Sequence, residues 1–308
     1  MPAGLERTLR RRIRSIESTQ KITRAMELIA ASRIVRAQQA IRAARPYTER
    51  MEDVVAEIAA TPEAKDHWIF AGGGRRSLVV VLGADRGLAG AFSINVHRAA
   101  DDLLRQIETG GPQAAVIGVG RKVRTYFGFR GRVLAETFEG VSDRPQFEDA
   151  QRIVEGMTRQ LQGGEIGQIF LVYTHFLSLG SQRVETPRLV PLKVEGREGN
   201  GTTVFEFEPE PAEILDRLLP RWLEAEVYRG LLESAAAFFA AQQRAMKAAT
   251  DNADDLVKTL RRQMNRARQD SITTEIMEIV GGAEALRQAG LSEEAGGRPD
   301  IYVFPQAS

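Results

Sequence analysis

Cysteine is absent from the 308 residues. That excludes disulfides, thiolate metal sites and cysteine nucleophiles. The three histidines, His67, His97 and His175, stand far apart without ligand spacing, which argues against a zinc site. No apolar run approaches the roughly 20 residues that cross a bilayer. The arginine-rich N-terminus has no apolar stretch behind it, so no secretory leader is expected. No G-x-x-x-x-G-K-[ST] loop occurs, and no G-x-G-x-x-G follows the first apolar strand. Gly118-Val119-Gly120 is only a fragment of a dinucleotide fingerprint. Ser/His/Asp sets and paired carboxylates are missing too. Asp251, Asp254 and Asp255 share one helical stretch, but no histidine completes a metal set. The residues therefore offer no catalytic site and no cofactor.

Proline and glycine are scarce in one long C-terminal stretch. Between Glu213 and Leu286 proline occurs only at Pro220, and glycine only at Gly230, Gly281 and Gly282. This stretch is expected to form one very long helix. At ~1.5 Å per residue, about 65 residues make a rod of ~100 Å, more than a compact core of this size can cover. Val227, Leu231, Ser234, Phe238, Ala241, Ala245 and Ala248 step by four and three. Thr250-Asp251-Asn252 reads as a polar interruption, either a contact point or a face in water. Val257, Leu260, Met264, Ala267, Ser271 and Thr274 then resume the step. A 3.5-residue period sustained this far predicts a coiled coil.

A second such pattern runs from Leu5 to about Ala60. Leu9, Ile13, Ile16, Gln20, Thr23, Glu27, Ala30, Ile34, Ala37, Ile41 and Ala44 carry it, with Gln20 and Glu27 as polar breaks. Ile22, Met26 and Ile29 are expected to carry the stripe through those breaks, so that the seam drifts. Pro46 predicts a kink or a short stop. The two helices are natural partners, and because both return to one middle domain the pair should be antiparallel. Net charge is only +1, but residues 1–50 hold 12 Lys/Arg and 4 Glu. Such a segment suits nucleic acid, an anionic membrane surface, an acidic protein sleeve or plain solvent.

The middle of the chain alternates. Ser77–Gly83 is a fully apolar run, expected as a buried parallel strand. Ala84–Gly90 turns into a helix reaching about Ile107. Gln113–Val119 is a second buried strand, followed by a short helix near Lys122–Phe127. Val133–Thr137 is a short strand, Gln146–Leu161 a helix and Gln168–Thr174 a strand. Leu189–Leu192 and Thr203–Phe207 suggest an edge hairpin around Gly199–Gly201. The alternation predicts an open, Rossmann-like α/β sheet. Asp85-Arg86-Gly87 falls where such sheets bind ligands. The preferred reading is a tight turn with Asp85 capping the following helix. The expected division is residues 1–60 as N-terminal coiled-coil helix, 61–76 as linker and 77–212 as α/β domain. Residues 213–286 follow as C-terminal coiled-coil helix, and 287–308 as an additional flexible tail.

Three stretches carry a family resemblance. Ile16–Arg33 reads IESTQKITRAMELIAASR, and Ala245–Ala283 reads AMKAATDNADDLVKTLRRQMNRARQDSITTEIMEIVGGA. VLGADRGLAGAF is similar to an S-D-R-G-L-C-G motif. Together they resemble the gamma subunit of F-type ATP synthase, in a bacterial, actinobacterial-like form, from Leu5 to Leu286. The resemblance implies a non-catalytic central rotor shaft inside a hexamer of α and β subunits. It couples proton flow through the membrane sector to ATP synthesis or hydrolysis, with the catalytic sites on partner subunits. It implies a foot against the epsilon subunit and the c-ring, and a peripheral location on the cytoplasmic face of the cell membrane. Carried over by motif, Met26, Arg268, Gln269, Thr273 and Glu275 would contact a β subunit. Phe205, Phe207 and Glu208 would belong to the foot. Ala84 and Ala89 replace the family's Ser and Cys. The Cys-bearing insertion of chloroplast gammas is missing, as is a loop near Gly163–Gly167 found in some actinobacterial relatives. The segment from Arg287 to Ser308 extends past the family's usual end.

Two other classes stay open on residues alone. One is an α/β enzyme dimerised by its helices, which needs a phosphate loop or an acid/base cluster. The other is a coiled coil binding nucleic acid through the basic N-terminal helix, with steeply salt-dependent affinity. The aromatic interleaving that single strands require is missing from residues 1–45.

Overall fold

The computed structural model describes residues 2–59, 61, 67–109, 111–161, 164–192 and 211–295. The apolar run near Val80 has no polar alternation, and it forms β1 (Arg76–Leu82), buried on both faces. β2 (Ala115–Val119), β3 (Glu136–Phe138) and β4 (Ile166–Phe176) follow, with β5 (Gln182–Glu185) and β6 (Arg188–Val190). The order is β3-β2-β1-β4-β5, and β6 also pairs with β4. β1 pairs in parallel with β2 and β4, and β2 with β3. β5 and β6 run antiparallel to β4. The helices are α1 (Pro2–Ala59), α2 (Trp68–Ala71), α3 (Phe92–Glu108), α4 (Arg121–Phe129), α5 (Phe147–Leu161) and α6 (Pro211–Ala295). The expected α/β class holds, with a mostly parallel sheet and a long C-terminal helix.

Successive strand residues point to opposite faces, and the two faces have separate cores. Leu78, Val80, Leu82, Ile117 and Leu171 pack with Ile153 and Met157 of α5 and with Trp222, Leu223 and Val227 of α6. Val79, Val81, Val116 and Val172 pack with Val96, Ala100 and Leu104 of α3 and with Ala237–Ala240 of α6. Gly230 permits the close approach of α6: a Cβ there would lie 2.9 Å from Leu82 Cδ1 and 3.2 Å from Leu171 Cδ2.

The chain divides into two compact units, Thr23–Ala249 and Met1–Ile22 with Thr250–Ser308. In the larger, α1 adds Ile34 to one sheet core and Val55 to the other, while Ile58 packs with Leu215. In the smaller, Leu9 and Ile13 pack with Val257, Leu260 and Ala267. There Glu17 pairs with Arg261 at 2.6 Å and Gln20 bonds Asp254. As α1 advances, its partners on α6 step back, so the two helices are antiparallel.

Several expectations change in detail. The seam of α1 does not drift. Gln20, Thr23 and Glu27 are buried or half-buried, whereas Ile22 and Ile29 are 58% and 52% exposed. The strict four-three step fixes the buried line whatever residues occupy it, and it continues through Thr48, Val55 and Ile58. Pro46 does not stop α1, because burial of Val55 and Ile58 holds the helix beyond it. On α6 the first expected run weakens after Phe238: Ala241 and Ala245 are half-buried and Ala248 is exposed, while Gln242, Met246, Thr250 and Ala253 are buried. Thr250 therefore lies in the seam, and only Asp251 and Asn252 face water. Thr274 is exposed as well. The third strand forms at Glu136–Phe138, later than expected, and β5 was not foreseen. α6 continues to Ala295 through Gly281 and Gly282. Thr203–Phe207 and residues 296–308 lie outside the described residues.

Candidate functional site

On α6, Ala267 and Ser271 turn inward, which leaves Arg268, Gln269, Thr273 and Glu275 exposed. Glu275 accepts a bond from Ser271 Oγ at 3.3 Å. Arg268 and Gln269 make no side-chain bond among the described residues, so five guanidinium N–H donors and one amide are unused. Four residues on from Arg268 and Gln269 stand Ile272 and Thr273, then Ile276 and Met277. The apolar members are exposed, so polar anchors and bare apolar side chains share one helical surface. Met26 lies on α1 in the other unit, half-buried, with exposed Ile22 and Ile29 one turn to either side. The structure does not gather Met26 and the α6 residues within one compact unit. Phe205, Phe207 and Glu208 fall outside the described residues.

The end of β1, where ligands bind in related sheets, is filled by the chain itself. Asp85 is 8% exposed. Its Oδ1 accepts from Arg121 N–H at 3.0 Å, and its Oδ2 from Ser142 Oγ at 2.8 Å and Ser142 N–H at 3.2 Å. The Asp85 N–H in turn donates to Ser142 Oγ at 2.8 Å. Burial works to raise the Asp85 pKa, but the bonds from Gly140, Arg121 and Ser142 outweigh it and hold the carboxyl below its ordinary value. Asp85 thus caps α4, not the helix that follows it in sequence. Gly120, at φ 94°, makes the cap possible: a Cβ there would sit 2.8 Å from the Ala84 backbone. Arg86 pairs with Asp143 at 2.8 Å, as does Arg33 at 3.3 Å.

A polar clamp ties α6 to β4, and sequence reading missed it. Thr174 N–H donates to Ser234 Oγ at 3.1 Å and His175 Nδ1 meets Glu233. Beside them, within α6 itself, Arg229 pairs with Glu226 at 2.5 Å. Tyr173 donates to Glu185 at 3.0 Å, and burial foremost pushes its hydroxyl pKa well up. The sequence trace of this clamp is acidic Glu233 in an otherwise mostly apolar stretch of α6. Among the described residues no cluster of His, Asp or Glu suits a metal ion, and no helix is long and apolar enough to cross a membrane.

A family model described as ATP synthase matches residues 6–286. The ATP synthase gamma chain of Parafrankia sp. (strain EAN1pec) is 44% identical over 293 residues, covering 92% of this chain and 98% of that one. That of Kineococcus radiotolerans is 44% identical over 299 residues, covering 94% and 99%. Among solved structures, a chain of the Euglena gracilis mitochondrial ATP synthase, OSCP/F1/c-ring in rotational state 3, superposes with TM-score 0.67. It has 16% identity and coverage of 98% and 100%. A chain of the Tetrahymena thermophila mitochondrial ATP synthase central stalk/c-ring gives 0.56 at 21% identity, covering 74% and 99%. The structural likenesses speak for the fold, and the sequence matches reach from the first heptads to the exposed end of α6: the chain belongs to the ATP synthase gamma chain family.

Proposed function

We propose that this chain is the central rotor shaft of an ATP synthase at the cytoplasmic face of a bacterial membrane. It stands within a hexamer of α and β subunits, with the epsilon subunit and the c-ring at its foot. Nucleotide chemistry belongs to the partner subunits. Proton flow turns the shaft, and unequal contact with the three catalytic sites biases each toward a different conformation. The observation that carries this reading is the antiparallel pair in the smaller unit, whose outer surface presents Arg268 and Gln269 without a side-chain partner among the described residues. Arg268 has the forked donors to hold a carboxylate on a β subunit. Gln269, Thr273 and Glu275 extend the same contact, and Met26 serves a second one. Torque enters through the larger unit, where the Thr174–Ser234 and His175–Glu233 bonds fasten α6 to the sheet. The filled site at Asp85 weighs against the enzyme alternative.

The test is reconstitution with α, β, epsilon and the membrane sector. Replacing Arg268 and Gln269 together by Ala should lower coupled ATP synthesis about tenfold, equivalent to ~1.4 kcal/mol of contact energy. The circular dichroism of the isolated chain should not change. Unaltered synthesis would refute the role of these two residues, and failure to co-assemble with α and β would refute the shaft itself.

A further inference from the structure

Beyond the rotor role, we propose that the larger unit holds a binding site for a small molecule bearing an oxyanion, a phosphate or a carboxylate. The site is the cavity of about 490 Å³ between the start of α3, the β4–β5 turn and α6. That size matches small-ligand pockets.

Its position follows from the topology. From β1 the chain moves outward to β2 and β3, then returns to place β4 on the other side of β1. The crevice at the carboxyl ends of β1 and β4 is where open α/β sheets bind ligands. Asp85 fills the β2 side of that crevice. The cavity lies on the β4 side, between Gly90 after β1 and Ser181 after β4. Ala241 and Ala245 of α6 are too small to close it.

Its chemistry is that of an anion site. Among the described residues Arg244 is the single charged side chain of the lining, accompanied by the neutral polar groups of Asn95, Thr174, Ser181 and Gln182. The guanidinium is held in place by the Leu179 carbonyl and by Gln182 Oε1 at 2.5 Å. Such positioning lowers the ordering cost of binding. One wall is the start of α3, which has no capping side chain and no acidic residue in its first turn. Phe92 N–H and Asn95 N–H bond to the Ala89 and Ala91 carbonyls. Those of Ser93 and Ile94 find no acceptor among the described residues. An uncapped helix start attracts negative charge. The independent sign is Thr174, 4% exposed, which lines the same cavity and whose Oγ1 is buried with no partner among the described residues. A buried hydroxyl left unpaired is costly unless something bonds to it. A rotation of the Thr174 side chain that turns Oγ1 toward the cavity lets an oxyanion between Arg244 and α3 accept from it.

The test uses the full chain, labelled with nitrogen-15 and titrated separately with inorganic phosphate and with acetate at constant ionic strength in chloride. Saturable shifts at the Gly90, Asn95 and Ser181 amides support the site, and the anion that produces them assigns it to the phosphate or the carboxylate class. Arg244→Gln should weaken binding about tenfold or more, and Arg244→Lys by less, since charge persists but the fork is lost. Ala245→Leu leaves Arg244 in place and should abolish binding by filling the cavity. No saturable shift with either anion overturns the proposal, as does affinity unchanged by both Arg244→Gln and Ala245→Leu.

Discussion

Asp85 joins three loops that are remote in sequence. Its carboxylate accepts from the backbone at Gly140 and Ser142 and from the first N–H of α4 at Arg121, 36 residues away. A buried carboxylate with this many donors is difficult to replace. Asp85→Ala would leave three backbone N–H groups and the Ser142 hydroxyl without an acceptor. The expected loss is roughly 2–4 kcal/mol of unfolding free energy, measured by denaturant titration of the full chain. The pH dependence has a definite sign. The folded-state pKa is depressed, so the stabilisation is full above the unfolded value near 3.8 and is lost as pH falls through the folded value. Asp85→Asn should therefore flatten the decline of Tm in that acidic window while lowering Tm at neutral pH. A variant as stable as the parent at pH 7 would show that the carboxylate carries no such load.

For α1, the heptad step proved a better guide than the identity of each residue, whereas on α6 the buried line leaves the expected step between Phe238 and Thr250. Ile34 sits on the seam at 3% exposure and Ile29 lies off it. Ile34→Ala should cost about 2–4 kcal/mol, and Ile29→Ala less than about 0.5 kcal/mol, by thermal or denaturant unfolding. The reverse order would mean that the apolar stripe, not the four-three step, chooses the buried face. The same contrast explains what was legible. Apolar runs of β1, β2 and β4 announced themselves because both faces are buried. β5 did not, since Gln-Arg-Val-Glu is a short polar edge held by backbone pairing. β3 was misplaced because Val133 reads as strand yet is exposed in the loop. Of the proposed contacts, Arg268 and Gln269 came from motif resemblance. No periodicity could mark them, because a partner-facing side chain and a solvated one have the same pattern. The Asp85 cap and the clamp on β4 depend on pairings 36 to 60 residues apart, which spacing does not encode.

At the level of the molecule, the two compact units differ in what holds them. The larger buries a sheet on both faces with two extensive apolar clusters. Among the described residues the smaller has one apolar cluster of five buried side chains, Leu9, Ile13, Val257, Leu260 and Ala267, with Ile16 and Met264 partly covered, and buried Thr250, Ala253 and Ser271 complete its seam. Its surface carries exposed Ile276, Ile279 and Val280. A seam one side chain wide stabilises little beyond the entropy of ordering its two helices. Local opening should accordingly be cheaper there. In hydrogen exchange on the isolated chain, amides of Ile13 and Leu260 should exchange at least about tenfold faster than those of Val79, Ile117 and Val172, a gap of ~1.4 kcal/mol or more in opening free energy. Equal protection would mean that the chain opens as one cooperative body and that the thin seam suffices alone. If the shaft reading is right, assembly with α and β subunits should close the gap, because the apolar side chains bare in the isolated chain become buried against the partner. Slower exchange at Leu260 but not at Val79 on assembly would locate the contact on the smaller unit; slowing at both alike would assign the stabilisation to the whole chain and remove the argument for a shaft completed by its sleeve.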